Sequence, residues 1–217
     1  LIEDAAELIG QTYKGKQCGS FGDISTFSFY PNKHITTGEG GMIVCNDEAL
    51  AERCKKLRNL AFEPKGRRFI HHELGWNYRI TNMQAALGLA QLEKIEDHLT
   101  QKRKIGEAYQ QGLKDVKGFQ LPLVSTGYSE NIYWVFAIVA ESEELSRETV
   151  TKLSKHEIST RPFFWCMHEQ PVFQKMGLFV SERYQVAERL ARNGFYIPSG
   201  LGLTETQIKQ VINIFTE

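Results

Sequence analysis

The chain has 217 residues, 41% of them hydrophobic, which is enough to bury the core of one large domain or one and a half small ones. Lys plus Arg and Asp plus Glu both number 26, so the zero net charge gives no electrostatic case for nucleic acid or an anionic membrane surface. No apolar run approaches the roughly 18 residues that span a bilayer. The four cysteines, at 18, 45, 54 and 166, form no CxxC pair and have no histidine at zinc-ligand spacing, which fits a reduced, cytoplasmic setting.

The chain opens on "LIEDAAE", an apolar pair with no Met and no targeting pattern, and so reads as a fragment that starts inside a strand. Leu1 and Ile2 are the expected strand end, and "DAAELIG" the start of a helix behind it. "YKGK" marks a tight turn, "ISTFSFY" a strand and "GGMIVCN" another. From Asp47, "DEALAERCKKLRNL" places Ala49, Leu50, Cys54 and Leu57 on one helical face. "TNMQAALGLAQLEKI" begins with Thr81 and Gln84 in capping-box spacing, and its helix runs, with or without a break, to about Leu113. "GFQLP" then marks a boundary, giving an expected division into residues 1–114 and a smaller α+β domain over 115–217. In the second part, "IYWVFAIVA" is apolar enough for a buried strand, and helices are expected near 146–156, 182–193 and 204–216. The last has capping-box spacing (Thr204, Gln207) and a stripe of Ile208, Val211, Ile212 and Phe215.

The chemical candidates gather early in the chain. Asp4 lies at the carboxyl end of a strand, where open α/β sheets build their sites, although a carboxylate there often only caps the following helix. Ser28 and Lys33 span the end of the next strand and a turn stiffened by Pro31, ahead of the glycine turn "TGEGG". Each signal is ordinary alone. Together they offer an amine nucleophile, an anion-binding hydroxyl and a carboxylate on neighbouring strand ends, the parts that a pyridoxal phosphate enzyme needs.

Three stretches, "EDAAE", "GSFGDISTFSFYPNKHITTGEGGMIVCND" and "GWNYRITNMQAALGLAQLE", resemble the signatures of the DegT/DnrJ/EryC1/StrS sugar aminotransferases, and the resemblance covers nearly the whole chain. It implies an α/β fold, the C-terminal part of a fold-type I transferase, made of the end of the large-domain sheet and a small α+β domain. The N-terminal part of the family's fold, with a cup for the cofactor phosphate and a ring stacked on the pyridine, is expected to be missing. "STRPFFWCMHEQPVF" and "ERLARNGFYIPSGLGLTETQI" look most like the perosamine-forming branch, which aminates C4 of a GDP-linked 4-keto-6-deoxy sugar.

The resemblance also implies roles. Lys33 matches the lysine that carries pyridoxal 5'-phosphate and moves protons. Asp4 matches the carboxylate paired with the pyridine nitrogen. Glu7, taken to share a helical face with Asp4, matches the position that approaches the cofactor's 3-hydroxyl, where other members often carry Gln or His. Ser28 matches a phosphate-binding hydroxyl, and Asn77 an asparagine that reaches the cofactor phosphate of the opposite subunit, which implies a homodimer with shared active sites. Arg161 in "TRPFF" is the substrate-binding candidate, although a structural ion pair is as good a reading. The implied partners are glutamate and a nucleotide-linked keto sugar destined for a surface polysaccharide, with no nucleic acid, membrane or metal.

Some relatives carry histidine in place of the lysine and remove a sugar hydroxyl. Here Lys33 is the fifth residue after Ser28, as in the aminotransferase form, and an extended segment would turn His34 to the other side. His71 and His72 are adjacent and poorly spaced for chelation, and "KGRR" at 65–68 reads as a solvated face that could touch a nucleotide phosphate. Trp76, Tyr78 and Trp165 either line the site or pack the core. A truncated, non-catalytic dimeric or interaction module of the same fold is the second reading.

Overall fold

The computed structural model describes residues 1–63 and 65–216, so Glu217, the last residue of the expected second domain, lies outside the described residues. The chain divides into two compact units, one of residues 1–100 with 125–134 and the other of residues 101–124 with 135–217. The sequence places the change of domain near 114; the contacts divide the chain at 100 and return 125–134 to the first unit.

In the first unit β1 (Ile2–Asp4) is followed by a hairpin of β2 (Thr12–Tyr13) and β3 (Lys16–Gln17), then by β4 (Ile24–Ser28) and β5 (Gly41–Cys45). β4 is central. It pairs parallel with β1, Asp4 opposite Thr26, and antiparallel with β5, Ser28 opposite Gly41. A half-buried carboxylate fastens the parallel pair: Glu3 accepts the N–H groups of Gly19 (2.6 Å), Phe21 (2.8 Å) and Gly22 (3.2 Å) and the Ser25 hydroxyl (3.2 Å).

The expected helix over "DAAELIG" does not form. Asp4 accepts the Ala6 N–H at 3.1 Å, and the bonds Leu8 N–H to Ala5 O and Gln11 N–H to Leu8 O make successive three-residue turns instead. Gly10 ends any helical path, with φ +82° and a backbone so close to Leu99 that a Cβ would lie 2.3 Å from its Cδ1. Glu7 therefore does not share a helical face with Asp4. The "YKGK" turn is as expected, with Lys14 (φ 50°) and Gly15 (φ 76°) both left-handed, the hairpin geometry whose twist matches its strands.

Helix α1 (Glu48–Arg58) is capped by Asp47, which accepts the Leu50 N–H at 2.8 Å. Its expected apolar stripe is only partly covered: no α1 residue is fully buried and Leu50 is exposed. Helix α2 (Asn82–Leu92) carries the expected capping box between Thr81 and Gln84. A break at Glu93 and Lys94 separates it from α3 (Ile95–Leu113), because Lys94 bonds Gln91 O at three-residue spacing. Gln84, Gly88 and Gln91, spaced along one face of α2, hold the glycine turn. Gln84 donates to Glu39 O (3.1 Å), Gln91 donates to Thr36 O (2.7 Å) and accepts from Thr36 N (3.1 Å), and a Cβ on Gly88 would lie 2.9 Å from Thr37 Cγ2.

Along the chain β6 (Phe119–Gln120) precedes a second hairpin, β7 (Ser125–Thr126) and β8 (Ser129–Glu130). That hairpin belongs to the first unit, where Gln11 donates to Ser129 Oγ (2.7 Å) and Glu130 O (2.9 Å). The expected strand over "IYWVFAIVA" is shorter than its apolar run: β9 (Phe136–Ala140) begins only after Tyr133 (φ 49°), whose N–H is taken by Asn131 Oδ1 at 2.7 Å.

The second unit is an antiparallel sheet in the order β10-β11-β9-β6, with β10 Arg161–Pro162 and β11 Gly194–Ile197. Its helices are α4 (Glu143–Lys155), α5 (Pro171–Lys175), α6 (Gln185–Asn193) and α7 (Glu205–Thr216). Phe136, Ile138, Leu153, Phe195 and Ile197 are essentially inaccessible and form its core. On α7, Ile208 and Val211 are buried with Ile214, while Phe215 packs edge-on to Phe119 (5.3 Å) and parallel to Phe195 (6.5 Å). The Lys102 ammonium is buried against Ser199 O at 2.6 Å, and burial pulls it down to about 8. The Glu188 carboxylate, gripped by Arg183 (2.6 Å), Tyr184 N–H (2.9 Å) and His168 (3.1 Å), is held down at about 2 by those donors, the arginine first.

Burial alone would push the Glu3 carboxyl up, yet the four donors around it outweigh burial and hold it below the usual 4.5. Its contribution is therefore complete above that value and lost as pH falls through the lowered one. Urea denaturation of Glu3→Gln is expected to show a loss of about 1–3 kcal/mol at pH 7, with the gap to wild type shrinking in acid below about 4.5.

Candidate active site

The parallel pairing of β1 and β4 brings two strand ends out side by side. Asp4 stands at one and Ser28 at the other, and Ser28 Oγ accepts the Tyr30 N–H at 3.3 Å. The chain then turns through Tyr30–Lys33, Lys33 N–H bonding Tyr30 O at 3.0 Å, with Pro31 at the second position, where its fixed φ suits the turn. Glycine lets the chain return. Gly38 (φ +80°) and Gly40 (φ +145°) adopt positive φ, and Thr37 N–H and Phe29 N–H close the loop on Phe29 O and Gly40 O. A side chain on Gly41 would strike Phe27 O at 2.7 Å, so β5 can pair this close to the turn only with glycine there.

Lys33 is inside this loop, not on its surface. Its side chain is 9% exposed, and its Nζ donates to Glu7 Oε1 at 3.0 Å. The turn over residues 5–8 thus delivers Glu7 to the lysine by a route other than the expected helix. On another side the ammonium sits 4.1 Å from the centroid of the Trp134 ring, and the Trp134 indole N–H donates to Asn32 O at 3.0 Å. Sequence reasoning did not find Trp134: it lies in an apolar run that reads as strand, and no local pattern marks it.

The segment at His34 is turned, not extended as the sequence argument assumed, yet the outcome for the two side chains is the same. Lys33 goes to Glu7 while His34 is buried, with Nε2 facing Ile132 O at 3.3 Å. A carbonyl can only accept, so that ring nitrogen carries its proton. His98 donates in turn to His34 O at 3.0 Å.

The other sequence candidates lie elsewhere. Asn77 is exposed on a segment bridged to Asn59, beside the stacked pair Trp76 and Tyr78, both of them exposed. Arg161 is exposed on β10 of the second unit, opposite Tyr196, and Trp165 of that unit packs under Arg192, 4.9 Å from its ring centroid. In "KGRR", Arg68 lies over the rings of Phe62 (5.9 Å) and Phe69 (5.2 Å). His71 faces Leu60 O at 2.7 Å and, like His72, is exposed. Among the described residues one group, Cys166, His168 and Glu169, has metal-ligand chemistry, with its donor atoms within 4.8 Å of one another. Its anionic and imidazole members are already engaged, Glu169 with Arg192 (2.6 Å) and His168 with Glu188 (3.1 Å). Among the described residues no helix is long and apolar enough to cross a membrane.

Residues 1–216 match the model of the DegT/DnrJ/EryC1/StrS aminotransferase family. A GDP-perosamine synthase of Escherichia coli O157:H7 is 38% identical over 224 residues, covering 100% of this chain and 57% of its own length. One from Caulobacter vibrioides is 40% identical over 216 residues, covering 98% and 57%. The chain therefore spans a little over half the length of these relatives. Among solved structures, a putative sugar aminotransferase of Streptococcus pneumoniae in its PLP form aligns with a TM-score of 0.89 at 22% identity, over 99% of this chain and 56% of that one. The fold is the mixed α/β fold of the sugar aminotransferases.

The glycine turn is where this geometry is easiest to break. A Cβ at Gly40 would lie 2.6 Å from Thr37 Oγ1 on a backbone with φ +145°. Gly40→Ala is expected to cost about 1–3 kcal/mol in urea denaturation and to speed amide exchange at Thr37, whose N–H closes the loop.

Proposed function

The chain belongs to the DegT/DnrJ/EryC1/StrS aminotransferase family, and on that premise we propose that Lys33 is the attachment point for pyridoxal 5'-phosphate. The reaction is amino transfer from glutamate to a nucleotide-linked 4-keto-6-deoxy sugar of the perosamine type. One observation carries the reading: a barely exposed amine held 3.0 Å from a carboxylate, beside the strand ends that present Asp4 and Ser28.

The donor set fits the cofactor. Lys33 supplies the amine, Asp4 a carboxylate able to hold a protonated ring nitrogen, and Ser28 a hydroxyl for phosphate. The bound cofactor supplies an electron sink through which an amino group passes from donor to acceptor. The chain's part is to place and move protons. Lys33 must shed a proton before its nitrogen can act as nucleophile or base, and Glu7, already bonded to it, is placed to receive that proton. Asp4 is fixed by the Ala6 N–H, which leaves carboxylate capacity facing outward.

Asn77 and Arg161 complete the proposal. Asn77, exposed and away from Lys33's own contacts, serves the site of a second copy in a homodimer. Arg161 meets the anionic nucleotide sugar, the task for which a planar guanidinium is suited. The relatives' perosamine chemistry supports this sugar class, and the chain's free thiols at Cys18, Cys45, Cys54 and Cys166 support a reducing, cytoplasmic compartment.

Pyridoxal phosphate titration followed by borohydride reduction and peptide mapping tests the reading. One reduced adduct per chain is expected on Lys33, and none in Lys33→Ala. An adduct on another lysine overturns it, as does the absence of an adduct both here and in a chain extended upstream to its relatives' length, which leaves a non-catalytic module of the same fold.

A further inference from the structure

We infer that Trp134 is a positioning residue for the Lys33 amine, its ring forming one wall of a cradle whose other wall is Glu7. Functionally this rests on the reading of Lys33 as the reactive lysine, although the geometry stands without the cofactor.

Trp134 lies far from Lys33 in sequence, and three contacts tie its segment to the lysine's turn. Its indole N–H donates to Asn32 O at 3.0 Å, which fixes the ring beside the turn. The Lys33 ammonium lies 4.1 Å from the ring centroid, close enough for the face to attract a cation. Ile132 O meets His34 Nε2 at 3.3 Å, so the residues on both sides of Lys33 are held by one strand of backbone. The bend that aims the ring is built in: Tyr133 has φ +49°, and Asn131 Oδ1 takes its N–H at 2.7 Å. Upstream, the β7–β8 hairpin is anchored through Gln11 to Ser129 and Glu130, and Lys14 N–H donates to Tyr128 O at 2.7 Å.

Glu7 alone cannot define where the amine sits. Its side chain is 40% exposed, and a lysine has four rotatable bonds to confine. A ring face fixed by its own hydrogen bond restricts the ammonium to one side, and the carboxylate then sets its position there. Carboxylate and ring thus meet the amine from two sides, 3.0 Å from Glu7 Oε1 and 4.1 Å from the Trp134 ring centroid.

Competitive labelling of the cofactor-free chain with trace acetic anhydride tests this without any turnover. Each lysine's acylation rate is read by mass spectrometry, with Lys55, whose side chain is 58% exposed, as internal standard. Trp134→Met keeps bulk and removes the π face, while Trp134→Phe keeps a π face and removes the indole N–H. The Lys33-to-Lys55 rate ratio is expected to rise about two- to five-fold in Trp134→Met, the factor that a partly exposed cation–π contact is worth. The rise should be smaller in Trp134→Phe, which keeps a π face but loses the bond to Asn32 O that fixes the ring. An unchanged ratio in Trp134→Met, or an equal rise in both variants, overturns the inference, since a space-filling ring would behave in one of those ways. Borohydride trapping on the same samples separates the two claims. An adduct on Lys33 with no labelling change sinks the positioning role alone, and the expected labelling change with no adduct, here or in the chain extended upstream, sinks the cofactor reading alone.

Discussion

The parallel pairing of β1 with β4 is the constraint on which the site depends. A parallel pair puts the carboxyl ends of both strands at the same edge, with Asp4 opposite Thr26 and Ser28 two residues beyond it. Pairing in that register is fixed by Glu3, whose carboxylate binds three backbone N–H groups of the 19–22 loop and the Ser25 hydroxyl. A one-residue slip would swing every side chain of β1 to the opposite face and remove Asp4 from the edge. The charge on Glu3 is thus structural, whereas its neighbour Asp4 accepts one bond, from the Ala6 N–H, and is exposed.

Two further pieces of chain close on the segment that follows β4. Helix α2 holds the glycine turn through Gln84, Gly88 and Gln91, and the 125–134 segment holds the lysine turn through Ile132 and Trp134. No single contact among these is worth more than about 1 kcal/mol net, but they act on one short loop and restrain it from different directions. The result is an amine that is little exposed and charge-compensated on a turn where a lysine would ordinarily be solvated.

How much of this was legible depended on distance along the chain. The caps at Thr81 and Thr204 read correctly because a capping interaction is completed within three or four residues. β4 and β5 also read correctly, since an apolar run bounded by glycine and proline is a local signal. The placement of Asp4 and Ser28 at two strand ends, with Lys33 in the turn after the second, was visible from local signals. The helix at residues 4–10 was misread because local propensity cannot see Leu99 lying against Gly10. Trp134 was missed for the same reason: the carbonyl and ammonium that give it meaning belong to Asn32 and Lys33. In "IYWVFAIVA" the composition was right for burial, but the backbone reversal at Tyr133 split the run between two units.

The most direct measurement is the environment of the Lys33 nitrogen itself. Reductive methylation with 13C-formaldehyde places two labelled methyl groups on each lysine, and a Lys33→Arg sample assigns the Lys33 signal by its loss. An amine 4.1 Å from the Trp134 ring centroid lies in the ring's shielding cone. The account therefore predicts a Lys33 methyl resonance displaced upfield of the solvated lysines and returned toward them by Trp134→Met. A Lys33 resonance coincident with the solvated lysines would contradict a fold that is built around that amine.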